Sequence, residues 1–330
     1  IPYFRERTLS LGGEIIPKEE WPSHPRNVLP DEFRNLPPNA FFHTFLGSNN
    51  PLSAPQEWMN EDQFIHDISV HEWLNKKGFS DELVDLAYNL NISHGYSAKD
   101  VSVLMLMFVN AFAASQSRLG FQTSLVAEGG NIRIAEEMAN NLKHEVLLNK
   151  EVTSIDLSQD SAKVSCQDGS SFSADRIICS LPFSVLEGMS IYPKIMGPQS
   201  QAIKSLKSQK INMLHLVPKK PFWETDEMSP NMYTDQLAGM ILSQRQASSP
   251  EKVDSLTVWL RGPIAERLDM MDQNEAIASV IQSIEDLRPS AKGQLEVAAY
   301  HSWFLNPFSK GDWAYWGPGQ IKEFGREISK

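Results

Sequence analysis

The sequence predicts a mixed α/β fold built from two lobes whose segments alternate along the chain. Its 330 residues exceed the usual size of one domain. Helical patterns follow one another between residues 61 and 120, and strand patterns joined by further helices extend from there to about residue 300. Because helix and sheet patterns occur in alternating blocks, we predict two interleaved lobes rather than two domains in succession.

The composition indicates a globular protein and excludes several kinds of partner. Thirty basic and 41 acidic residues give a formal net charge of −11, which argues against a nucleic-acid partner. The longest apolar run, residues 101–114, is shorter than the roughly 20 residues that a bilayer requires, so we predict a buried helix and no membrane span. With only Cys166 and Cys179 present, we expect no metal site. The cellular location stays open, with the cytoplasm favoured, and no pattern indicates an oligomeric state.

The first part of the chain is predicted to be irregular and then helical. Residues 1–60 contain 9 prolines, which exclude long helices there. Beyond them, three places carry the side chains that favour a helix N-terminus: Ser69 to Glu72, Ser80, and Ser97 to Asp100.

Residues 125–190 change to an α/β pattern. Gly129 and Gly130 precede a helical pattern, and strands are predicted over 144–149, 151–158 and 162–182, with a hairpin turn at Asp168-Gly169. From residue 205 an antiparallel sheet is predicted, with strands over 210–217, 231–235, 237–243, 255–262 and 295–303 and a helix over 274–287 that Asp272 caps and that ends before Pro289.

The segment 302–320 is the most unusual stretch of the sequence. It contains six aromatic residues broken by turn residues, so it cannot form one buried helix. The pattern Trp303-x3-Pro307-x3-Gly311-x-Trp313-x-Tyr315 followed by "PGQ" resembles the aromatic wall beside the flavin in flavin-dependent amine oxidases.

Two further segments carry the same resemblance. The stretch "EGGNIRIAEEMANNL", followed by the strands up to "RIICSLP", looks like the middle of that family's FAD domain, and "LVPKKPFW" is similar to the end of a strand in its substrate domain. The resemblance extends in consistent order over about residues 60–330. It implies a glutathione-reductase-like FAD-binding domain, incomplete here, and a substrate domain with a mixed sheet and helices. The implied division is 1–124, helical part of the substrate domain; 125–190, part of the FAD-binding domain; 191–300, substrate-domain sheet and helix; and 301–330, the aromatic segment that returns to the FAD domain.

The resemblance also implies an activity. The family oxidises an amine to an imine, with hydride transfer to FAD and reoxidation by O2 to give H2O2, so an amine or an amino acid is the implied small-molecule substrate. FAD carries this redox chemistry while the protein orients the substrate and excludes water, which agrees with the absence of a hydrolase-type triad or metal-spaced cluster. Flat aromatic faces suit such a site because they direct the carbon beside the nitrogen toward the flavin.

The resemblance assigns roles residue by residue. Trp313 takes the position of the family's aromatic cage, and Trp303 lies against the cofactor. The residues implied in cofactor binding are Val152, Gly129, Gly130, Arg133, Pro182 and Trp303. From the residues alone, the Gly pair before a helix permits close backbone approach and anion binding at the helix N-terminus, although it is equally typical of a plain turn.

Two positions depart from the family's pattern. Counting back from Trp223, Met213 falls where the family's lysine holds a water near the flavin, and a thioether cannot hold water as an ammonium can. Lys210 points to the other face of the strand and could replace that lysine only through a bulge. His215 shares the face of Met213 and is interpreted as structural. Asp312 stands where covalently flavinylated members have cysteine, so FAD is expected to be non-covalent.

A larger departure is the absence of the nucleotide-binding motif. No G-x-G-x-x-G follows a predicted strand: Gly12-Gly13 lacks the spacing, and no strand is predicted before it. The Gly-Glu block that follows "PGQ" in the family is also missing. We therefore expect Ile1 and Lys330 to be truncation points, and the 330 residues alone to bind FAD poorly and to be inactive. Two alternatives stay open: a related FAD-dependent desaturase or isomerase, and a catalytically degenerate binding module.

Overall fold

The computed structural model describes residues 7–118, 127–158, 161–246 and 249–328. Within these ranges the strands, in chain order, are β1 (Thr8–Leu11), β2 (Glu14–Ile16), β3 (Val152–Asp156), β4 (Ala162–Cys166), β5 (Ser171–Ala174), β6 (Ser190–Tyr192), β7 (Lys207–Ser208), β8 (Ile211–Pro218), β9 (Met232–Thr234), β10 (Met240–Gln246), β11 (Ser249–Arg261), β12 (Leu295–Ser302) and β13 (Ala314–Tyr315).

The α-helices of the same ranges are α1 (Pro38–Ser48), α2 (Val70–Lys76), α3 (Asp81–Ala87), α4 (Val103–Arg118), α5 (Ile132–Asn140), α6 (Phe183–Leu186), α7 (Gly197–Ser205), α8 (Phe222–Thr225), α9 (Pro263–Asp269) and α10 (Gln273–Leu287). Short 3₁₀ turns connect them at Trp21–Ser23, Asp31–Phe33, Pro55–Met59, Glu61–His66, Asn89–Asn91 and Pro289–Ala291, and a π-helical turn covers Ile321–Gly325. Among these described helices, none combines the length and the apolar character that crossing a membrane requires. The mixed α/β class predicted from the sequence is confirmed.

A seven-stranded mixed sheet is the centre of the larger lobe. Its order is β12-β8-β11-β10-β9-β1-β2, and all neighbours pair antiparallel except β1 and β9, which run parallel. Alternate residues of β8 and β11 point to one face and pack with α10 in a fully buried cluster that includes Leu214, Leu216, Val258, Leu260, Val280 and Ile284. Asp272 caps α10 by accepting hydrogen bonds from two backbone N–H groups, as its position in the sequence predicts.

The opposite face of the sheet divides into two parts. Its β9, β1 and β2 end packs against the helices α1 to α4 in one large core that contains Tyr233 and Leu242 from the sheet and Phe41, Trp73 and Leu104 from the helices. Ser69 and Ser80 cap α2 and α3 by accepting the N–H of the third residue that follows, so both predicted caps are confirmed. The β12 and β8 end of this face extends beyond that helical core, and Trp259 of β11 packs against its edge.

A smaller four-stranded sheet, ordered β5-β4-β3-β6, follows α5 in the chain. Few of its residues are buried, among them Ile155, Ala162 and Cys166, and Ile132 and Met138 on the apolar stripe of α5 are 65% and 68% exposed. The predicted helix over this stripe is confirmed, although the described part of the chain does not bury the stripe. The division into FAD-binding and substrate domains stays a prediction.

The aromatic segment is attached to the helical lobe through two carboxylates. Asp67 is 5% exposed and accepts hydrogen bonds from the hydroxyl of Ser102 (2.6 Å) and the backbone N–H of Lys322 (2.9 Å). Asp100 accepts a hydrogen bond from the hydroxyl of Tyr315 (2.9 Å). The segment also pairs through β13 with β7, which fixes its other side to the sheet lobe.

Several expectations from the sequence are wrong in detail. Residues 144–149 and 176–182 are apolar but form no strand, because no described neighbour pairs with them and a lone strand has no stability of its own. The apolar helix α4 starts at Val103 rather than near Ser97. A strand does precede Gly12-Gly13: β1 and β2 form a hairpin around that pair, whose φ angles of +63° and +81° suit glycine.

Candidate functional site

The candidate site lies on the β12, β8 and β11 end of the sheet, on the face opposite α9 and α10. Strand register places His301 and Trp259 on either side of Met213, and Arg261 beside Ile211. The carbonyl of Ile211 in turn accepts the backbone N–H of Trp303 (3.0 Å). We call this surface the site face; its side chains are Met213, His215, Thr257, Trp259, Arg261, His301 and Trp303.

The indole of Trp303 is partly exposed on the site face. Its Nε1 lies 3.5 Å from Sδ of Met213, its ring packs edge-on at 4.6 Å against His301, and 36% of the residue is exposed. The two residues predicted at the flavin-facing position are therefore in contact. Their roles in catalysis stay predictions.

Lys210 does not replace the lysine that the resemblance implies at position 213. The pairing of β8 with β11 is regular over 211–216, so no bulge turns the side chain of Lys210 toward the site face. Its ammonium instead forms an ion pair of 2.5 Å with Glu266 of α9 and lies 4.3 Å from the centre of the Phe304 ring. The site face therefore has the thioether of Met213 and no ammonium from Lys210, and the correspondence of position 213 to the family's lysine stays a prediction.

Trp313 packs at the same corner as Trp303, on the side of the helical lobe. Its carbonyl accepts the backbone N–H of Gln209 (2.9 Å), and its ring centre lies 5.4 Å from that of His94. The indole Nε1 of Trp313 and Nδ1 of His94 are both buried without a hydrogen-bond partner in the described structure. Burial, and then the nearby charge of Arg261, lowers the pKa of His94 to about 4, so the imidazole is neutral at neutral pH.

Arg261 brings a half-buried cation to this corner. Its guanidinium carbon lies 4.5 Å over the ring of Trp259, and its Nε is buried without an acceptor. Burial lowers the pKa of Arg261 to about 10, which leaves it protonated at neutral pH. Burial also raises the pKa of Asp312, while the charge of Arg261 opposes that rise.

His215 has a structural environment. Its Nδ1 lies 3.1 Å from the hydroxyl of Thr257, which also accepts a hydrogen bond from the amide of Gln244 (3.1 Å). Burial lowers the pKa of His215, so the neutral ring is favoured. This network supports the interpretation of His215 as a hydrogen-bonded residue of the sheet.

The residues predicted to bind the nucleotide part of the cofactor lie in the smaller lobe. Gly129 and Gly130 form an exposed turn with φ angles of +80° and +101°, and Arg133 folds back over it and donates to the carbonyl of Glu128 (3.2 Å). Val152 begins β3, and Pro182 is exposed directly before α6. Within the described ranges, neither residue forms a hydrogen bond or a ring contact with Trp303 or Trp313, and the same holds for the glycine turn. The structure thus brings Trp303 to Met213 and Trp313 to His94, and neither tryptophan to these five residues.

The residues of the site face suit the flavin ring of FAD. The residues of the smaller lobe suit the phosphates of FAD less well. The exposed indole of Trp303, with Met213 beside it, offers a flat apolar surface, and the unpartnered Nε1 of Trp313 and Nε of Arg261 are donors available to a polar group. The turn at Gly129-Gly130 is closed by its own hydrogen bonds, and no described residue places a second glycine-rich loop there. The ring-binding residues would therefore be Trp303 and Met213.

Neither Arg261 nor His94 is among the residues predicted from the sequence. A signal for Arg261 is present in "SLTVWLRG": Leu256, Val258 and Leu260 alternate with Thr257, Trp259 and Arg261, so a cation falls on the less apolar face of a strand. His94 lies in an irregular segment, where residue spacing carries no information about its neighbours.

Comparisons with known proteins show the family and the fold. The model of a family described as "Flavin containing amine oxidoreductase" matches residues 6–327. Solved structures of similar fold include a putrescine oxidase triple mutant redesigned in cofactor binding (18% identity, TM-score 0.73, 99% of this chain and 74% of that chain). Wild-type putrescine oxidase bound to putrescine has 17% identity and a TM-score of 0.74 (98% and 73% covered). Cyclohexylamine oxidase from Brevibacterium oxydans IH-35A has 16% identity and a TM-score of 0.71 (97% and 71% covered). Because the family model spans nearly the whole chain, sheet lobe, smaller lobe and aromatic segment included, the protein belongs to the flavin-containing amine oxidoreductases.

Proposed function

We propose that the protein is an amine oxidase that binds FAD non-covalently, oxidises a CH–NH group to an imine and uses O2 as electron acceptor, with release of H2O2. When bound, FAD accepts a hydride equivalent from the carbon beside the nitrogen and passes the electrons to O2. The observation that carries the proposal is the contact of Trp303 with Met213, with Trp313 at the same corner of the sheet.

The residues of the chain bind and orient the substrate in this proposal. Trp303 and Trp313 would restrict a flat or narrow amine to one approach, and their rings would favour the cationic form of the amine during entry. Removal of water by such apolar walls strengthens the remaining polar interactions. His94 and His215 are both neutral, so neither adds to the positive charge that Arg261 places at this corner.

Non-covalent attachment is proposed from the side chain at position 312. A carboxylate cannot form the thioether bond that a cysteine forms with the flavin. Asp312 therefore leaves FAD held by contacts alone, and acid precipitation of the loaded protein should release all flavin into the supernatant.

The test of the proposal is direct. The full-length protein is titrated with FAD and followed by flavin absorbance, and a panel of amines is then offered while flavin bleaching without air and peroxide release in air are measured. Bleaching and peroxide with at least one amine are the expected result. Bound FAD that no amine bleaches would overturn amine oxidation.

Matched tryptophan variants assign the site. Trp313→Ala should lower kcat about tenfold or more, because a misplaced substrate loses most of the benefit of orientation, while its midpoint of urea unfolding changes little. Trp223 lies on the opposite face of the sheet beside the α10 cluster. Trp223→Ala should therefore lower the midpoint of urea unfolding and change kcat little. Equal kcat in wild type and Trp313→Ala would remove Trp313 from the site.

A second candidate function is a binding module without catalysis. Met213 favours it, because the position lacks the charged group that the family's pattern has there. FAD binding without bleaching by amines or peroxide release would select this candidate.

A further inference from the structure

The sulfur of Met213 accepts a hydrogen bond on the site face. Met213 is half-buried, and the indole Nε1–H of Trp303 donates to its Sδ over 3.5 Å. A thioether sulfur is a weak acceptor, so this hydrogen bond satisfies the indole N–H only in part. An oxygen atom bonded to the same sulfur would be a stronger acceptor for the indole.

Two more ring nitrogens beside Met213 have no hydrogen-bond partner. Register places Trp259 of β11 and His301 of β12 directly opposite Met213, so the three side chains leave the same face of the sheet, with neighbouring Cβ atoms about 5 Å apart. In the part of the chain that the structure describes, Nε1 of Trp259 and Nε2 of His301 are both buried without a partner. An indole N–H can only donate, and Nε2 of histidine donates in one of its two neutral tautomers. The surroundings of Met213 therefore offer donors to an oxygen atom.

Hydrogen peroxide can supply that oxygen to the thioether. A sulfur lone pair attacks one oxygen of H2O2, the S–O bond forms as the O–O bond breaks, and the departing hydroxide takes the proton of the transferred hydroxyl and leaves as water. The sulfur loses two electrons and the peroxide gains two, so the products are methionine sulfoxide and water. Negative charge develops on oxygen during this step, so N–H donors that lie beside the sulfur lower its barrier.

We propose that Met213 is a modification site, at which hydrogen peroxide oxidises the thioether to a sulfoxide whose oxygen accepts the indole N–H of Trp303. This inference rests on the proposed function, because amine oxidation would release peroxide at the face that Met213 helps to form. The polar sulfoxide replaces an apolar group on the surface that would hold the flavin ring, so activity should fall as peroxide accumulates. Methionine sulfoxide reductases return the sulfoxide to the thioether, so this loss is reversible.

The chain contains other methionines that serve as matched controls. Met105 is 5% exposed, and its Sδ accepts the backbone N–H of Trp316 at 3.3 Å, so it has a donor but little access to peroxide. Met196 and Met270 are 73% and 78% exposed, so both have full access. Exposure alone would make these two react first and Met213 react more slowly.

The first arm of the test adds peroxide and requires no amine oxidation. The full-length protein is treated with graded H2O2 in the absence of amine, and peptide mass spectrometry measures the sulfoxide fraction of each methionine. Met213 should oxidise at least as fast as the two exposed methionines and about tenfold or more faster than Met105. Trp303→Phe keeps a ring but removes the N–H, so it should slow the oxidation of Met213 about threefold or more. Slow oxidation of Met105 in this variant shows that its core is folded.

The second arm lets the protein produce its own peroxide. The FAD-loaded full-length protein oxidises an amine in air in the presence of catalase, which removes the peroxide that has left the protein. The sulfoxide fraction of Met213 should then exceed that of Met196 about threefold or more, because Met213 meets the peroxide before it escapes. Without catalase, activity should fall in proportion to the sulfoxide at Met213, and a methionine sulfoxide reductase should restore it. Met213→Leu should lose activity more slowly, relative to its own starting rate.

The outcomes separate this inference from the proposed function. Three results would each overturn the inference: oxidation of Met213 as slow as that of Met105, an unchanged rate at Met213 in Trp303→Phe, or activity that neither falls with the sulfoxide nor returns with the reductase. Fast oxidation of Met213 by added peroxide that depends on Trp303, in a protein that oxidises no amine, would refute the proposed function alone.

Discussion

The hydrogen bonds of Asp67 determine whether the aromatic segment stays on the helical lobe. The carboxylate accepts hydrogen bonds from the hydroxyl of Ser102 at 2.6 Å and from the backbone N–H of Lys322 at 2.9 Å, and both Asp67 and Ser102 are buried. Hydrogen bonds to a charged group contribute about 1.5–3 kcal/mol each. Asp67→Ala removes both and leaves the Lys322 N–H without an acceptor, so we expect a loss of about 3–5 kcal/mol in the free energy of unfolding.

A double-mutant cycle isolates the shared bond. Ser102→Ala removes the hydroxyl that donates to Asp67 and should lower the free energy of unfolding by about 1–2 kcal/mol. In the Asp67→Ala background the same change should cost almost nothing, which gives a coupling energy of about 1–2 kcal/mol. Urea unfolding followed by tryptophan fluorescence measures all four proteins, with the exposed Asp62→Ala as control. A loss in Asp67→Ala no larger than in Asp62→Ala, or two strictly additive single effects, would refute the reasoning.

Three further predictions concern other parts of the structure. Because the pKa of His94 is lowered to about 4, the unfolded chain binds a proton that the folded chain does not bind as the pH falls from 6.5 toward 4. The free energy of unfolding is therefore unaffected by His94 above pH 6.5 and decreases by about 3 kcal/mol as the pH falls through this range. His94→Gln should therefore flatten the pH dependence of urea unfolding between pH 4 and 6.5, and an unchanged slope would contradict this. Gly311 has φ +128°, and an added Cβ would lie 2.4 Å from Cβ of Ser208, so Gly311→Ala should cost about 2 kcal/mol or more; a melting temperature equal to wild type would be the contrary result. Asp226→Ala leaves the 1%-exposed side chain of Arg288 without its partner at 2.6 Å and should cost about 3–5 kcal/mol, whereas a loss below 1 kcal/mol would show that the pair is dispensable.

The sequence predicts most strongly those features that local chemistry decides. Ser69, Ser80 and Asp272 are short polar side chains before apolar helical patterns, and all three cap the helices that they predict. In β11, Leu256, Val258 and Leu260 alternate with the less apolar set Thr257, Trp259 and Arg261, which predicts the two faces of that strand without knowledge of its neighbours. The mixed α/β class follows from such local patterns.

Features that depend on distant partners could not be predicted in the same way. Residues 144–149 have the composition of a strand but lack a described neighbour to pair with, whereas the short β1 and β2 become strands because β9 supplies an edge. Arg261 becomes a candidate binding residue only when register places it beside Ile211, 50 residues earlier in the chain. The roles of Trp303 and Trp313 came from a resemblance rather than from pattern, and they stay predictions.

The parallel pairing of β1 with β9 has a consequence for synthesis on the ribosome. Thr8 contacts Ser229 across 221 residues of chain, so β1 has no partner on that edge until the whole intervening polypeptide has emerged. At translation speeds of about 5–20 residues per second this delay is on the order of tens of seconds. A two-stranded hairpin is marginal by itself, and it exposes Leu9, Leu11 and Ile16 to water or to chaperones throughout that time. The yield of folded protein is therefore expected to depend on the rate at which this nascent hairpin associates with incorrect partners.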